Sequence, residues 1–156
     1  MQRRIIPDVV REQDIIALDK TRSIHDAVQL MSTHNIAAVA VTNGDDQLIG
    51  IISERDITHR VLACGLNPQT TPLSDVMTEK PETLLGSDIC LDAIELMLTR
   101  NIRHLPVVDD QHRVIAMISM RDLLQAALKQ LNITIDDARL DAFGPEIGRA
   151  SGRERV

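Results

Sequence analysis

The pattern of hydrophobic and polar positions in this chain occurs twice. In the first stretch, apolar side chains recur at i, i+3, i+4 and i+7, which predicts an amphipathic helix with Ala27, Leu30, Met31 and His34 on one face. Two short apolar runs follow at residues 36–41 and 48–52, and an Asn-Gly-Asp-Asp sequence separates them. Short β-branched runs around an Asn-Gly turn predict two paired strands.

Polar residues mark where the predicted helices begin. Ser23, with Asp26 three residues later, is typical of a helix N-cap with a carboxylate in the first turn. Ser53 is expected to start a second helix, because Glu54 and Asp56 follow it where an acidic first turn is favourable. A short strand is expected before the first helix, near residues 15–18.

The same pattern returns 66 residues later without a gap. Residues 26–56 and 92–122 are identical at 13 of 31 positions, and most other positions change conservatively. The second copy has its own apolar helix face, two apolar runs at 105–108 and 114–118, and a helix that starts after Ser119. A strand is expected near residues 82–84. The chain therefore contains two copies of one β-α-β-β-α unit.

Several short sequences mark these copies: Asp26-Ala27 and Asp92-Ala93, Leu105-Pro106-Val107-Val108-Asp109, and the strand-to-helix sequences at 50–56 and 117–122. Together they resemble the CBS domain, named for cystathionine β-synthase. Ser74-Asp75-Val76-Met77-Thr78 also resembles the lead-in to a second CBS copy. Two copies in order resemble a CBS domain pair, or Bateman module, of the small stand-alone type.

The resemblance implies an α+β fold, with tandem CBS domains packed sheet to sheet around a pseudo-two-fold axis. We predict the first domain over residues 8–66, a linker over 67–75 and the second domain over 76–131. The sequence GLNPQTTP at 65–72 supports a linker there. Residues 132–156 form a tail. Its last stretch, 146–156, is either a genuine basic tail or a sequencing artefact, since it resembles a translated sequencing adapter.

Composition narrows the class of protein. The 156 residues carry a net charge of -6, which argues against a general nucleic-acid surface. No apolar run is long enough to span a membrane, so a cytoplasmic protein without a membrane partner is expected. Cys64 and Cys90 stand at non-equivalent positions without metal-ligand spacing, so no metal site is predicted. The core must be aliphatic, because Phe143 is the sole aromatic residue.

Serine and aspartate recur three residues apart at the start of each second helix. A carboxylate can accept two hydrogen bonds from a ribose diol, and the resemblance assigns ribose contact to the matching aspartate. The predicted ribose-binding residues are Ser53, Asp56, Ser119 and Asp122. The alternative is that all four are helix-capping residues.

Basic residues distinguish the two copies. Arg103 and His104 enter the middle strand of the second copy, where the first copy has Ala37 and Ala38. Family members often use basic residues there to meet a phosphate, and Arg supplies a rigid fork of donors. We predict phosphate contact by Arg103 and His104, with His59 and Arg60 as candidates in the first copy. The alternative for Arg103 and His104 is a surface or inter-domain salt bridge.

An adenine ring would have to be held by aliphatic side chains. The candidate adenine pocket comprises Ile16, Ala38, Val39, Ile52, Thr83, Leu105, Pro106 and Ile118. Each of these is also an ordinary core candidate, so they are predicted only as a group.

The leading interpretation is a regulatory, non-catalytic module. It would require no cofactor, bind an adenine nucleotide (AMP, ADP, ATP or an NAD(H)-type ligand) as its regulatory ligand, and act on an unknown regulated protein through repacking of the pair. A homodimer is expected through the second helices, with Ile57, Val61, Leu123, Ala127 and Leu128 as contacts. One alternative is a ligand-free structural or dimerisation module. An enzyme is a more distant alternative, because no nucleophile-base motif or glycine-rich phosphate loop is present.

Overall fold

The computed structural model describes residues 3–11 and 15–130. The predicted tail, with Phe143 and the sequence at 146–156, lies outside these residues. Helix α1 spans Ile24–His34, α2 begins at Glu54–Asp56 and continues as a wider π-helical turn over Ile57–Leu62, and α3 spans Leu73–Val76. Helix α4 spans Cys90–Arg100 and α5 spans Met120–Gln130.

Seven strands form two sheets. The first sheet has the order β1-β2-β3-β4, and the second has the order β5-β6-β7. In each sheet the first pair is parallel and the next pair is antiparallel. The strands are β1 (Ala17–Asp19), β2 (Ala38–Thr42), β3 (Leu48–Ser53), β4 (Thr78–Glu79), β5 (Leu84–Leu85), β6 (His104–Val108) and β7 (Val114–Ser119).

Each sheet with its helices forms one unit. The first unit contains β1–β4 with α1 and α2, and the second contains β5–β7 with α4 and α5. Both repeats therefore have the predicted β-α-β-β-α order, and the α+β tandem fold is confirmed. The repeat extends to the backbone: Asn35 and Asn101 end α1 and α4 with φ of 52° and 53°.

The capping prediction for α1 is also confirmed. The Ser23 hydroxyl accepts a hydrogen bond from the Asp26 backbone N–H at 3.1 Å, and Asp26 Oδ2 accepts one from the Ser23 N–H at 3.2 Å. This reciprocal pair satisfies donors that the first helical turn leaves without partners.

The two units contact each other through their sheets. Ala40, Leu48 and Val108 form a buried cluster between them, against which Ala17, Val114 and Met117 pack. The Leu48 N–H also donates to the His112 carbonyl at 3.0 Å. Burial of apolar sheet surface between the units gives one pair rather than two separate domains.

The lead-in segments exchange partners between units. Leu73 and Val76 of α3 are buried in the core of the first unit, and β4 pairs with β3. Ile5 is instead buried in the core of the second unit, and its N–H donates to the Asp88 carbonyl at 2.8 Å. The segment before the first repeat thus packs on the second unit, and the segment before the second repeat packs on the first. The domain boundaries at 66/67 and 75/76 remain predictions.

The predicted dimer face needs correction. Ile57, Val61 and Leu123 are buried in the cores of their own units, so they cannot form an exposed contact. The reason is the phase of each helix: α2 and α5 must cover the sheet beneath them, and these residues provide that covering. The exposed large apolar residues of the second unit's helices are Leu91, Leu98, Leu124 and Leu128.

Candidate ligand-binding site

A cavity of about 600 Å³ lies between the two units, and we call it the inter-unit cavity. The first unit contributes the residues before β1 and the entry to β2. The second unit contributes the entry to β6, the end of β7 and the first turn of α5. The lining residues are Ile15, Ile16, Asn35, Ile36, Ala37, Ala38, Arg103, His104, Met117, Ser119, Met120, Arg121 and Asp122.

Ser119 and Asp122 occupy the point where β7 passes into α5. Asp122 Oδ2 accepts hydrogen bonds from the Ser119 N–H and the Ser119 hydroxyl, each at 2.8 Å. The Asp122 N–H donates back to the Ser119 hydroxyl at 3.2 Å. Within residues 3–11 and 15–130, nothing donates to Asp122 Oδ1. One oxygen therefore caps the helix, and the other is available as an acceptor.

His104 is the first residue of β6 and lies opposite Ser119 in the β6–β7 ladder. Burial lowers the pKa of His104 below its ordinary value of 6.5. The carboxylates of Asp122 and Glu54 act in the opposite direction, and Arg103 adds to the lowering. A half-buried imidazole whose protonated form two carboxylates favour can donate to an anion from both ring nitrogens once it is protonated.

Arg103 and Arg121 place two exposed guanidinium groups at the same cavity. Neither forms an ion pair with any other described residue, so both can meet an anionic group. The Arg103 carbonyl accepts a hydrogen bond from the Met120 N–H at 2.9 Å, which ties the entry of β6 to the start of α5. Arg121 is not among the residues predicted for the site, and the structure adds it to the cavity wall.

The candidate adenine residues separate into two groups. Ile16 and Ala38 line the inter-unit cavity. The other six do not: Val39, Ile52, Leu105 and Ile118 are buried in the two main cores, Pro106 is buried, and Thr83 is half-buried. For the five buried residues the packing favours the alternative of ordinary core residues, and for Thr83 the assignment stays a prediction.

The first-copy site differs from the second. Asp56 Oδ2 accepts hydrogen bonds from the Ser53 N–H and hydroxyl at 2.9 and 3.0 Å, as in the second copy. Here, however, Arg60 Nε lies 3.6 Å from Asp56 Oδ1, and Arg60 also donates to the Val76 carbonyl at 3.1 Å. Arg60 is thus engaged by its own unit, and His59 is exposed. None of these four predicted site residues lines the inter-unit cavity.

Sequence reasoning missed several wall residues, among them Asn35, Ile36, Met117 and Met120. Asn35 carried a usable signal, because Asn101 repeats it and asparagine tolerates the left-handed conformation that ends a helix. Residues 35–37 also line a second cavity of about 510 Å³, together with Val28, Met31, Ser32, Glu54, Ile57 and Thr58. The segment 35–37 therefore separates the two cavities.

The family model for the CBS domain matches residues 6–63 and 73–129. The chain belongs to the CBS domain family and carries two copies of the domain. An uncharacterized protein of Methanopyrus kandleri is 34% identical over 116 residues, which are 74% of this chain and 59% of that protein. The chain thus spans less than two thirds of that relative.

Solved structures show the same fold. A putative signal-transduction protein with CBS domains from Burkholderia ambifaria is 28% identical with a TM-score of 0.76, covering 85% of this chain and 99% of that one. The CBS domain pair of protein MJ0100, solved with 5'-methylthioadenosine and S-adenosyl-L-methionine, is 22% identical with a TM-score of 0.73, covering 83% and 99%. CBSX2, solved in complex with AMP, is 23% identical with a TM-score of 0.64, covering 76% and 90%.

Two kinds of feature are absent from the described part of the chain. Across residues 3–11 and 15–130, none of the helices combines the length and hydrophobicity needed to cross a bilayer. The same residues contain no group of three or more His, Cys, Asp or Glu side chains placed to hold a metal ion.

Proposed function

We propose that this CBS domain pair is a regulatory module that binds an adenine nucleotide in the inter-unit cavity. One observation carries the proposal. The cavity joins Arg103, His104, Ser119 and Asp122 of the second unit to the apolar residues Ile16 and Ala38 of the first. This combination offers a diol acceptor, donors for a phosphate and an aliphatic surface for a base.

Within this site each group has a distinct role. Asp122 Oδ1 accepts hydrogen bonds from the ribose hydroxyls, because Oδ2 is already used by Ser119. Arg103 and Arg121 meet the phosphate, and the base packs against Ile16, Ala38 and Met117. The complexes of CBSX2 with AMP and of the MJ0100 pair with adenosine compounds support an adenosine-type ligand.

Ligand binding can regulate a partner because the cavity wall belongs to both units. A ligand that contacts the two walls favours the relative position in which both contacts are made. That change is transmitted to a regulated protein whose surface spans the units. No catalytic step enters this role, since the site residues provide binding groups without a paired nucleophile and base.

The second candidate is a structural or dimerisation module that needs no ligand. Its supporting observation is the exposed leucines on α4 and α5, with Leu98 69% exposed and Leu91 53% exposed. An exposed aliphatic helix face of this kind suits a homodimer contact. The two candidates are compatible, but only the first requires the charged groups at the cavity.

Titration calorimetry with AMP, ADP, ATP, NADH and adenosine tests the proposal directly. We expect saturable binding of at least one phosphorylated adenine compound, with one site per chain. A thermal-shift series provides an independent measurement, since ligand at 100 times its dissociation constant stabilises a fold by about 2.7 kcal/mol. Absence of binding by every compound in both assays would favour the ligand-free module.

A further inference from the structure

Glu54 lies behind one wall of the inter-unit cavity. It is the first residue of α2, directly after the Ser53 N-cap, and its N–H donates to the Ala37 carbonyl at 3.0 Å. Ala37 lines both cavities, whereas Glu54 lines the second one. A carboxylate of the first unit therefore stands next to the pocket whose charged groups come from the second unit.

The Glu54 carboxylate acts electrostatically on a residue of the inter-unit cavity. Its negative charge favours the protonated form of His104, which lines that cavity. An electrostatic interaction that stabilises a cation at this position destabilises an anion there to a similar degree. Glu54 therefore opposes each negative charge that a ligand brings close to His104.

The other charges at the site are nearly balanced. Arg103 and Arg121 are the two arginines of the cavity wall, and Asp122 is its carboxylate. Burial lowers the His104 pKa, so the imidazole contributes little positive charge near pH 7.5. With Glu54 included, two arginines face two carboxylates. The positive charge of the arginines is then fully offset, so the first phosphate relies on direct hydrogen bonds from the arginines, and each further phosphate adds repulsion that no other cation of this wall compensates.

We propose that Glu54 makes the inter-unit cavity selective for nucleoside monophosphates over triphosphates. This inference rests on the proposed adenine-nucleotide site and specifies its ligand class. The first unit thus contributes a specificity-determining residue to a pocket whose charged ligand-binding groups belong to the second. The corresponding position in the second copy is Met120, so a selectivity device of this kind exists on one side only.

The test compares AMP and ATP by titration calorimetry at pH 7.5, with EDTA and then with Mg²⁺. The wild-type chain should bind AMP at least about tenfold more tightly than metal-free ATP, because repulsion grows with each phosphate charge. Glu54→Gln should reduce this AMP/ATP ratio by about threefold or more, the size expected for one partly screened charge. Its effect on the His104 pKa adds little to the ratio, because the imidazole carries little positive charge at pH 7.5 with or without the Glu54 carboxylate.

Two matched variants control the experiment. Glu54→Asp keeps the charge and should keep the selectivity. Glu95→Gln removes an exposed carboxylate on α4 that lines neither cavity, so its ratio should equal that of the wild type. Glu54 is exposed, so Glu54→Gln should not unfold the protein. A changed AMP/ATP affinity ratio would therefore not be due to loss of folding.

The outcomes separate this inference from the function on which it rests. Equal wild-type affinity for AMP and metal-free ATP, or an unchanged ratio in Glu54→Gln, overturns the role of Glu54 and leaves the adenine site in place. Failure of AMP, ADP, ATP, NADH and adenosine to bind at all overturns the proposed function, and the inference with it.

Discussion

Asp122 Oδ2 accepts two hydrogen bonds from Ser119, one from the backbone N–H and one from the hydroxyl, at 2.8 Å each. Ser53 and Asp56 repeat this arrangement in the first unit. The difference lies in the second carboxylate oxygen: that of Asp56 faces Arg60 at 3.6 Å, whereas Asp122 lines the inter-unit cavity. Two equivalent helix caps therefore differ in what they can offer a ligand.

This difference predicts opposite phenotypes for two matched variants. Asp122→Ala should weaken adenine-nucleotide binding by about 1.5–3 kcal/mol, as expected for loss of a hydrogen bond to a charged group. Asp56→Ala should leave binding nearly unchanged. Both should lose a similar, smaller part of the free energy of unfolding, about 0.5–2 kcal/mol, because both break a helix cap. Calorimetry and urea denaturation measure the two quantities; normal binding by Asp122→Ala would make Asp122 a capping residue only.

Arg103→Ala should distinguish charged from uncharged ligands. AMP affinity should fall by about tenfold or more, while adenosine affinity changes little, because only AMP carries the phosphate. Arg55→Ala removes an exposed arginine outside the cavity and serves as the control. Equal losses for AMP and adenosine in Arg103→Ala would show that Arg103 acts through packing.

His104 should make stability depend on pH. Burial lowers its pKa in the folded state below the ordinary value of 6.5, so the unfolded chain binds the proton more readily. The contribution of His104 to the free energy of unfolding is therefore complete above pH 6.5 and decreases as pH falls below it. Thermal unfolding between pH 5 and 7.5 should show a smaller decrease for His104→Gln than for the wild type. Identical pH profiles of stability for the wild type and His104→Gln would contradict the lowered pKa of His104.

Phosphate binding should raise the pKa of His104, opposite to the effect of burial. An anion beside His104 raises its pKa, so AMP affinity should decrease as pH rises through the titration of the bound-state imidazole. Adenosine affinity should be nearly independent of pH over this range. Titrations at pH 5.5, 6.5 and 7.5 compare the wild type with His104→Gln, because the phosphate of AMP itself titrates at about pH 6. An equal pH dependence of AMP binding in the two proteins would show that the phosphate does not lie close to His104.

The exposed leucines of the second unit predict where copies of the chain associate. Leu98→Glu combined with Leu124→Glu should convert a dimer into a monomer, because a charge at an apolar contact carries a desolvation cost. Leu62→Glu alters a leucine of the first unit that is 61% exposed, between Leu124 and Leu98, and is the control. Light scattering at tens of micromolar gives the mass, and a monomeric wild type would contradict a homodimer.

The sequence by itself determined the units of this fold. The gapless repeat, the period of the apolar positions and the serine-aspartate caps are local properties, so the order of residues alone places Ser23, Ser53 and Ser119 at helix starts. The chemistry of Asp122, Arg103 and His104 is equally visible, because residue type and position in the repeat are carried by the sequence.

Tertiary structure decided which of these groups share a cavity. Ile5 packs in the second unit and Leu73 in the first, an exchange that local patterns do not encode. Val39 and Leu105 could not be separated from Ile16 and Ala38 in the sequence, since all are aliphatic; only packing shows which face a core and which a cavity. The position of Glu54 behind the wall of the other unit's site likewise depends on how the sheets meet, because a long-range contact is fixed by the burial of both surfaces together.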